Sequence, residues 1–105
     1  MIVTFDKTYL QELYVNGKTK DKKHRFQPQI IAKYVKVINL MKQQDNVLGL
    51  LKYGSLHYEK LHGDKSGLSS VRINDQYRIE FKEYIEDGKH LATIFTITEL
   101  SNNYK

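Results

Sequence analysis

Two arginines on a predicted β-hairpin are suited to binding a negatively charged group. With a three-residue connection at 74–76, the apolar residues of both strands share one face, and Arg72 lies opposite Arg78 on the other. A two-residue loop would mix apolar and charged residues on both faces, so the alternation favours three residues. Facing like charges cost up to about 1 kcal/mol. A polyanion would relieve this repulsion, since guanidinium groups bind phosphate through a planar set of donors. The alternative is two solvated arginines, screened by salt and by Glu80.

Glu59, on a strand predicted before the hairpin, is a candidate general base. A carboxylate near two arginines can accept a proton, and its neighbours set its pKa. The alternative is an ordinary exposed glutamate, and strand alternation does not decide between the two, because Glu59 shares a mixed face with His57 and Leu61. We expect the arginines to lie on the open face of the sheet, with helices covering the other face.

Residue types and spacings exclude several classes of site. The chain has no cysteine, so it has no disulfide, thiolate zinc site or cysteine nucleophile. Its four histidines show no metal-ligand spacing, and it has neither a glycine-rich phosphate loop nor a nucleophile elbow. We therefore expect neither a metal nor a cofactor.

The chain is short and basic. Its 105 residues predict one domain spanning 1–105, and 17 Lys and Arg against 12 Asp and Glu give a net charge of +5. A basic surplus favours RNA, DNA or an acidic protein as partner, although many basic domains bind no nucleic acid. No apolar run reaches the roughly 20 residues of a membrane helix, and the N-terminus lacks the plan of a signal peptide. We therefore expect a cytoplasmic protein with no membrane partner.

The first half of the chain is predicted to be mainly helical. Residues 1–5 are predicted as a short strand, and residues 7–16 as a helix with Asp6 as N-cap and Gly17 as its stop. A longer helix at about 27–44 carries an apolar stripe, which we interpret as core. The loop between the helices is rich in cations and is either a solvated connector or a phosphate-contacting arm, and the two interpretations are compatible.

The second half of the chain is predicted to form strands. After a segment at 45–54 that is ambiguous between a helical turn and a packed loop, the predicted strands are 56–61, 68–73, 77–84 and 91–98. Short connections with turn residues predict an antiparallel meander. The fold class is therefore α+β: a single domain with a short N-terminal strand, two helices and then a twisted antiparallel β-sheet meander.

The segment from Tyr58 to Ile79 resembles the signature of the HigB-like branch of the RelE/ParE superfamily of bacterial toxins. That signature is an L-K-G-D-x-x-G step followed by S-I-R-I-N-x-Q-[WY]-R-I across a hairpin. This chain has LHGDKSG and SVRINDQYRI, with His62 where Lys is usual. Its segment 99–105, ELSNNYK, resembles the ending L-S-N-H-Y-K of some members. The order of elements also matches, so the resemblance covers essentially the whole chain and implies a RelE-like fold.

The resemblance implies a toxin that cleaves mRNA in the ribosomal A site and stops translation. No metal takes part, and the RNA 2′-hydroxyl attacks the adjacent phosphate to leave a 2′,3′-cyclic phosphate. A base accepts the 2′-OH proton, cations stabilise the transition state, and an acid protonates the leaving 5′-oxygen. A cognate HigA-like antitoxin with a helix-turn-helix domain is also implied. Operator DNA would be bound only through that partner, because this chain shows no such motif.

Site residues are carried over from the family by position. Glu59 matches the carboxylate that serves as base in YoeB-type relatives, and Arg78 matches the arginine that contacts the scissile phosphate, with Arg72 assisting. Tyr104 matches a terminal aromatic residue that orients or stacks on a base. Ribosomal RNA would be held by other basic residues, including Lys60, Lys65, Lys22 and Lys23.

Asn103 departs from the family pattern. It stands where the terminal motif has a general-acid histidine, and asparagine cannot donate a proton at neutral pH. Alignment onto members ending D-Y-H puts Glu99, Leu100 and Ser101 in the motif and also finds no histidine. General acid–base steps contribute about 10²–10⁴-fold in rate. The sequence therefore predicts impaired chemistry, in either a naturally weak or inactive homologue or an engineered variant.

Three other functions are considered. A ParE-like gyrase inhibitor would not cut RNA, but those relatives generally lack the hairpin arginine and the carboxylate present here. A non-catalytic module that binds RNA or the ribosome agrees with Asn103. A generic basic α+β domain with an unrelated protein partner leaves the arginine pair and the hairpin motif unexplained.

Overall fold

The computed structural model describes residues 1–102 and shows a sheet packed against helices. Its elements in chain order are β1 (Ile2–Phe5), α1 (Thr8–Asn16), α2 (Pro28–Gln43), α3 (Leu48–Leu51), β2 (Glu59–Lys60), β3 (Ser69–Arg72), β4 (Tyr77–Tyr84) and β5 (Ile94–Asn102). The five strands lie in the order β1-β5-β4-β3-β2. The predicted α+β class is confirmed.

The predicted meander is the antiparallel part of a mixed sheet. Strands β2, β3, β4 and β5 pair antiparallel in sequence order. β1 pairs parallel with β5, and Ile2 lies opposite Ile94. This parallel pair was not predicted, since it joins segments from the two ends of the described chain, which no local pattern connects.

The long helices share one hydrophobic core with the apolar face of the sheet. In α2, Tyr34, Ile38 and Met41 are fully buried, as the apolar stripe predicts. The Tyr34 hydroxyl donates a hydrogen bond to the carbonyl of Leu10 in α1 at 2.8 Å. This bond satisfies a buried polar atom and ties the two helices together. The sheet contributes fully buried residues to the same core, including Val71, Ile79, Phe81, Phe95 and Ile97.

The structure confirms the predicted C-terminal end of α1 but not its predicted N-cap. Lys7 occupies the N-cap position that was predicted for Asp6. The reason is that the amide of Asp6 donates to the carbonyl of Ile97 at 3.1 Å and so continues the sheet pairing. Gly17 ends the helix as predicted, with a left-handed φ of 74° and its amide bonded to the carbonyl of Leu13.

The chain before β3 is less extended than predicted. The strand expected at 56–61 consists of Glu59–Lys60 alone and follows a 3₁₀ turn at Gly54–Leu56. His57 has a φ of 45°, a left-handed conformation that interrupts extended backbone. The ambiguous segment 45–54 contains the short helix α3.

β5 lies further along the chain than the predicted strand at 91–98. The carbonyl of Ala92 accepts a hydrogen bond from the amide of Val47 at 2.9 Å, so Ala92 contacts the segment before α3 and does not belong to a strand. Regular pairing begins at Ile94 and continues to Asn102. Within the described part of the chain, no helix is both long and apolar enough to cross a membrane.

Candidate active site

The predicted hairpin register is confirmed, and it places a row of polar side chains across the sheet. Ser70 of β3 lies opposite Glu80 of β4. The short strand β2 adds Glu59 opposite Ser70, and β5 adds Glu99 opposite Glu80. We call these four residues, on the face turned away from the helices, the carboxylate row: Glu59, Ser70, Glu80 and Glu99.

Arg78 is held firmly over this row. Its Nε donates to Oγ of Ser70 at 2.9 Å, and its Nη2 donates to the carbonyl of His57 at 2.8 Å. The same Nη2 lies 3.2 Å from Oε1 of Glu59. The Arg78 side chain is 11% exposed, whereas that of Glu59 is 57% exposed. Neutral partners therefore fix the arginine, while the exposed carboxylate can reorient without unfolding its surroundings.

Arg72 does not form a joint phosphate clamp with Arg78, although the two lie opposite each other as predicted. The Nε of Arg72 donates to the carbonyl of Asn74 at 3.1 Å, and its Nη2 contacts the carboxylate of Asp75. Each arginine thus has its own carboxylate. The repulsion that a polyanion was expected to relieve is already offset within the chain. Arg72 lines a groove of about 400 Å³ between α2 and the hairpin, apart from the carboxylate row.

The arginine face is less open than predicted. Ser70 is fully buried and Glu80 is 5% exposed. Lys65 extends over this face from the loop before β3, and its Nζ donates to Oε2 of Glu80 at 2.6 Å. The hydrogen bond to Glu80 raises the pKa of Lys65. The site therefore contains two cation–carboxylate pairs, Arg78 with Glu59 and Lys65 with Glu80.

A tight loop positions Lys65. The turn Gly63–Lys65 is 3₁₀, and Gly63 and Gly67 have φ values of 66° and 93°. Only glycine adopts these left-handed values without strain. The amide of Leu68 donates to the carbonyl of Lys65 at 3.0 Å and closes the loop. The glycines of the LHGDKSG segment thus return the chain to β3 with the Lys65 side chain over the sheet.

Lys60 lies beside Glu59 in sequence but on the opposite face. It pairs with Ser69, whose side chain belongs to the face that packs toward the helices. Lys60 is exposed at the edge of the sheet. The structure therefore separates Lys60 from Arg78, while it brings Lys65 to the arginine face.

The predicted RNA-binding residues Lys22 and Lys23 are exposed in the loop between α1 and α2. This loop is held against α1, because the ring of His24 stacks on Tyr9 with 3.7 Å between the ring centroids. The stacking attaches the loop that carries both lysines to α1. The predicted site residues Asn103 and Tyr104 lie outside the described residues.

Sequence reasoning missed three members of the site: Ser70, which holds Nε of Arg78, Glu80 and the carbonyl of His57. Glu80 was considered only as a screening charge, and the carbonyl of His57 was not considered at all. A signal for Glu80 was present, since the predicted register already placed it opposite Ser70 on the arginine face. No comparable signal existed for His57, whose contact depends on its left-handed backbone.

The arrangement fits proton transfer next to a bound phosphate. An arginine with fixed geometry can bind a phosphate, and an exposed carboxylate 3.2 Å from it can accept a proton from a neighbouring hydroxyl. Among residues 1–102, no three His, Cys, Asp or Glu side chains lie together in a way that could hold a metal ion.

Comparison with known proteins identifies the family. The model of the HigB-like toxins, described as RelE-like toxins of the type II toxin-antitoxin system HigB, matches residues 3–95. No curated protein sequence matches the chain significantly.

Solved structures show the same fold at low sequence identity. A YoeB/ParE toxin from Agrobacterium tumefaciens has a TM-score of 0.60 at 15% identity, covering 99% of this chain and all of the other. A YoeB-YefM complex from Staphylococcus aureus has a TM-score of 0.56 at 18% identity, covering 99% and 98%. A mutant of YafQ from E. coli has a TM-score of 0.56 at 11% identity, covering 96% and 91%. These structures show a shared fold, and the family match over residues 3–95 shows that the chain belongs to the HigB-like family of RelE-like toxins of type II toxin-antitoxin systems.

Proposed function

We propose that the chain is a metal-independent mRNA endoribonuclease that acts on the ribosome in the cytoplasm and inhibits translation. The contact between Arg78 and Glu59 carries this proposal. The arginine is fixed by Ser70 and by the backbone of His57, and so is ready to bind a phosphate without reorganising. A phosphate bound there would bring its neighbouring 2′-hydroxyl close to the carboxylate.

In the proposed reaction, Glu59 accepts the proton of the RNA 2′-hydroxyl while the 2′-oxygen attacks the adjacent phosphorus. The bond from phosphorus to the 5′-oxygen breaks, which leaves a 2′,3′-cyclic phosphate and a 5′-hydroxyl. Arg78 donates to the phosphate oxygens, whose negative charge grows in the transition state. Its contacts within the chain use Nε and Nη2, and a guanidinium carries two further N–H donors on Nη1.

The remaining predicted residues have supporting roles in this proposal. Tyr104 orients or stacks on a base next to the cleaved bond. Arg72, Lys60, Lys22 and Lys23 hold ribosomal RNA around the site through phosphate contacts, which require positive charge more than fixed geometry. The net charge of +5 supports such contacts.

The proposed partner of the toxin is a HigA-like antitoxin with a helix-turn-helix domain. The family match supports an antitoxin, and the S. aureus relative is described as a YoeB-YefM complex. Operator DNA would be bound through that partner.

A second candidate is a module that binds the ribosome without cutting RNA. Asn103 favours this candidate, because asparagine cannot act as the general acid of the terminal motif. The two candidates share the same binding surface and differ only in whether the bond is cleaved.

The test is primer extension on a defined mRNA translated by bacterial ribosomes, with co-sedimentation to measure ribosome binding. The proposal requires cuts within A-site codons from the unchanged chain and none from Arg78→Ala. Cuts that occur only after Asn103→His would indicate a nuclease whose natural acid is missing. Ribosome binding without cleavage by any version would support the non-catalytic module, and the absence of both would exclude both candidates.

A further inference from the structure

The proposed cleavage lacks an assigned donor for the proton that the leaving 5′-oxygen needs, because position 103 carries asparagine. We propose that Lys65 is the general acid of this site and that Glu80 positions it. The inference rests on the proposed nuclease function and adds one catalytic and one positioning residue to it. Four features of the described residues support it: the spacing of Glu59 and Glu80 across the sheet, the position of Arg78 between them, the unequal burial of the Lys65–Glu80 pair, and the control of the position and charge of Lys65.

The first feature is location along the carboxylate row. Glu59 and Glu80 are each paired with Ser70, one from β2 and the other from β4. Two strand spacings separate their backbones by roughly 10 Å. In an in-line displacement, the attacking and leaving oxygens lie on opposite sides of phosphorus, so the base and the acid must lie on opposite sides of the phosphate. Glu59 and Lys65, the latter held at Glu80, satisfy this requirement.

The second feature is the position of the Arg78 guanidinium between Glu59 and Glu80. Its Nε is bonded to Ser70, the residue that Glu59 and Glu80 flank. A phosphate on this guanidinium would have a carboxylate on one side and the Lys65 ammonium on the other. Hydrogen bonds of about 2.7 Å at each end leave a gap suited to one phosphoryl group between them.

The third feature is the unequal burial of the Lys65–Glu80 pair. The Lys65 side chain is 49% exposed, whereas that of Glu80 is 7% exposed. A half-exposed lysine adds little to folding stability through an ion pair. Glu80, by contrast, is a buried charge in the middle of a sheet, which is costly without a partner. The pair therefore serves to place an ammonium group on the accessible surface next to Arg78.

The fourth feature is the control of position and charge. Lys65 lies in the loop before β3 between two glycines with left-handed φ values, Gly63 and Gly67, and these fix the position of its backbone. Its hydrogen bond to Glu80 also raises the pKa of Lys65, which keeps the group charged but makes it a weaker acid; a departing alkoxide is a much stronger base than an amine and so can still take the proton. The ammonium group has three N–H donors, and the contact with Glu80 uses one of them.

The proposed step is balanced without any co-reactant. The 2′-OH proton passes to Glu59, the 2′-oxygen bonds to phosphorus, and the bond from phosphorus to the 5′-oxygen breaks. One proton passes from Nζ of Lys65 to the departing 5′-oxygen, which leaves as a hydroxyl. Lys65 becomes a neutral amine bonded to Glu80 and is reprotonated from water after release, and Glu59 gives its proton back to water.

A leaving-group substitution tests the step directly. An mRNA is prepared whose A-site codon has sulfur in place of the bridging 5′-oxygen at the cleaved bond. A thiol has a pKa of about 8.5 and departs as a thiolate without an acid. Single-turnover cleavage of the oxygen and sulfur substrates is measured for the unchanged chain, Lys65→Met, Lys65→Arg and Lys89→Met. The last of these removes an exposed lysine from the turn between β4 and β5 and is the matched control.

We expect the Lys65→Met variant to cleave the oxygen substrate about 10²–10⁴-fold more slowly than the unchanged chain. It should cleave the sulfur substrate almost as fast as the unchanged chain does. Lys65→Arg keeps the charge but does not release a proton, so it should show the same pattern. Lys89→Met should behave as the unchanged chain. An equal loss on both substrates, no loss at all, or full activity of Lys65→Arg on the oxygen substrate would overturn the proposal. If the unchanged chain cleaves neither substrate, the nuclease function itself fails.

Glu80→Gln separates positioning from chemistry. The amide still accepts a hydrogen bond from Lys65 but no longer attracts its charge, so we expect a smaller loss of kcat on the oxygen substrate with KM unchanged. Glu80→Gln should cleave the sulfur substrate almost as fast as the unchanged chain does, as expected for Lys65→Met. A loss of Glu80→Gln that persists with sulfur would show that Glu80 acts on folding alone and would remove it from the proposal.

Discussion

Nη2 of Arg78, on β4, reaches over β3 to within 3.2 Å of Oε1 of Glu59 on β2. The contact fastens a strand of only two residues to the body of the sheet. It also brings the fixed cation and the exposed carboxylate of the site together before any substrate binds. An incoming phosphate can bind the two donors on Nη1 of Arg78, which brings its neighbouring 2′-hydroxyl close to Glu59.

Glu59→Gln should block proton transfer without unfolding the protein. The amide retains the shape of the side chain but cannot act as a base, so we expect cleavage to slow by about 10²–10⁴-fold. Because Glu59 is largely exposed, the free energy of unfolding should change by no more than about 0.5 kcal/mol. Single-turnover cleavage on programmed ribosomes and urea denaturation measure the two quantities. Cleavage at the unchanged rate would exclude Glu59 as the base.

Arg78→Ala and Arg72→Ala should differ sharply although the two residues face each other. Loss of Arg78 removes the hydrogen-bond donors that stabilise the negative charge of the transition state, so we expect the cleavage rate to fall by about 10²–10³-fold. Arg72 contacts the hairpin turn, so its loss should weaken ribosome affinity with a much smaller effect on the cleavage step. Cleavage at saturating ribosome concentration distinguishes these effects. Equal losses for both variants would mean that the two arginines act as one clamp.

Alkaline pH should destabilise the protein through Tyr58. Burial, together with the hydrogen bond to Glu83, raises the pKa of Tyr58 to about 12 from 10.0. The folded state holds this proton more tightly than the unfolded state, so the stabilisation is complete below pH 10 and is lost as the pH rises from 10 to 12. We expect the free energy of unfolding to fall across that range and to fall less steeply in Tyr58→Phe. Urea denaturation at a series of pH values measures the slope.

The control for this pH dependence is Tyr84→Phe, which alters an exposed tyrosine at the end of β4. Its slope should match that of the unchanged chain. Burial also raises the pKa of Tyr34, so Tyr58→Phe should reduce the slope without removing it. Identical slopes in the Tyr58 variant and in the unchanged chain would contradict the prediction.

Gly49→Ala should destabilise the protein by steric overlap. A Cβ at this position would lie 2.4 Å from Oε1 and 2.7 Å from Cβ of Gln44, and the second of these atoms cannot swing away. We expect a loss of about 1–3 kcal/mol, seen as a lower Tm in a thermal melt. Gly54→Ala is the matched control, because its Cβ would meet no atom within 4 Å. A melt in which both variants unfold at the same temperature would show that α3 adapts to the added methyl group.

The hairpin was predictable from the sequence because its determinants are local. Alternation of apolar and charged residues favoured a three-residue loop, and that loop sets the pairing of Ser70 with Glu80 and of Arg72 with Arg78. The apolar stripe of α2 was predictable for the same reason, since helical period and burial coincide there.

The site itself was only partly predictable. The meeting of Glu59 with Arg78 depends on the left-handed turn at His57 and on the pairing of a two-residue strand, neither of which has a local pattern. The Arg72 side chain contacts the carbonyl of Asn74 and the carboxylate of Asp75 in the nearby turn, and strand alternation gives no information on these contacts. The contact of Lys65 with Glu80 required knowing how a glycine-rich loop folds over the sheet.

The position of β5 has a consequence for the synthesis of the protein. β5 is the last of the described strands to be made, yet it lies between β1 and β4 in the sheet. Until β5 emerges from the ribosome, β1 has no hydrogen-bonding neighbour and β4 lacks one of its two. Pairing between segments so distant in sequence is slow compared with local pairing. A nascent copy therefore cannot complete its sheet while these residues are still inside the ribosome that makes it.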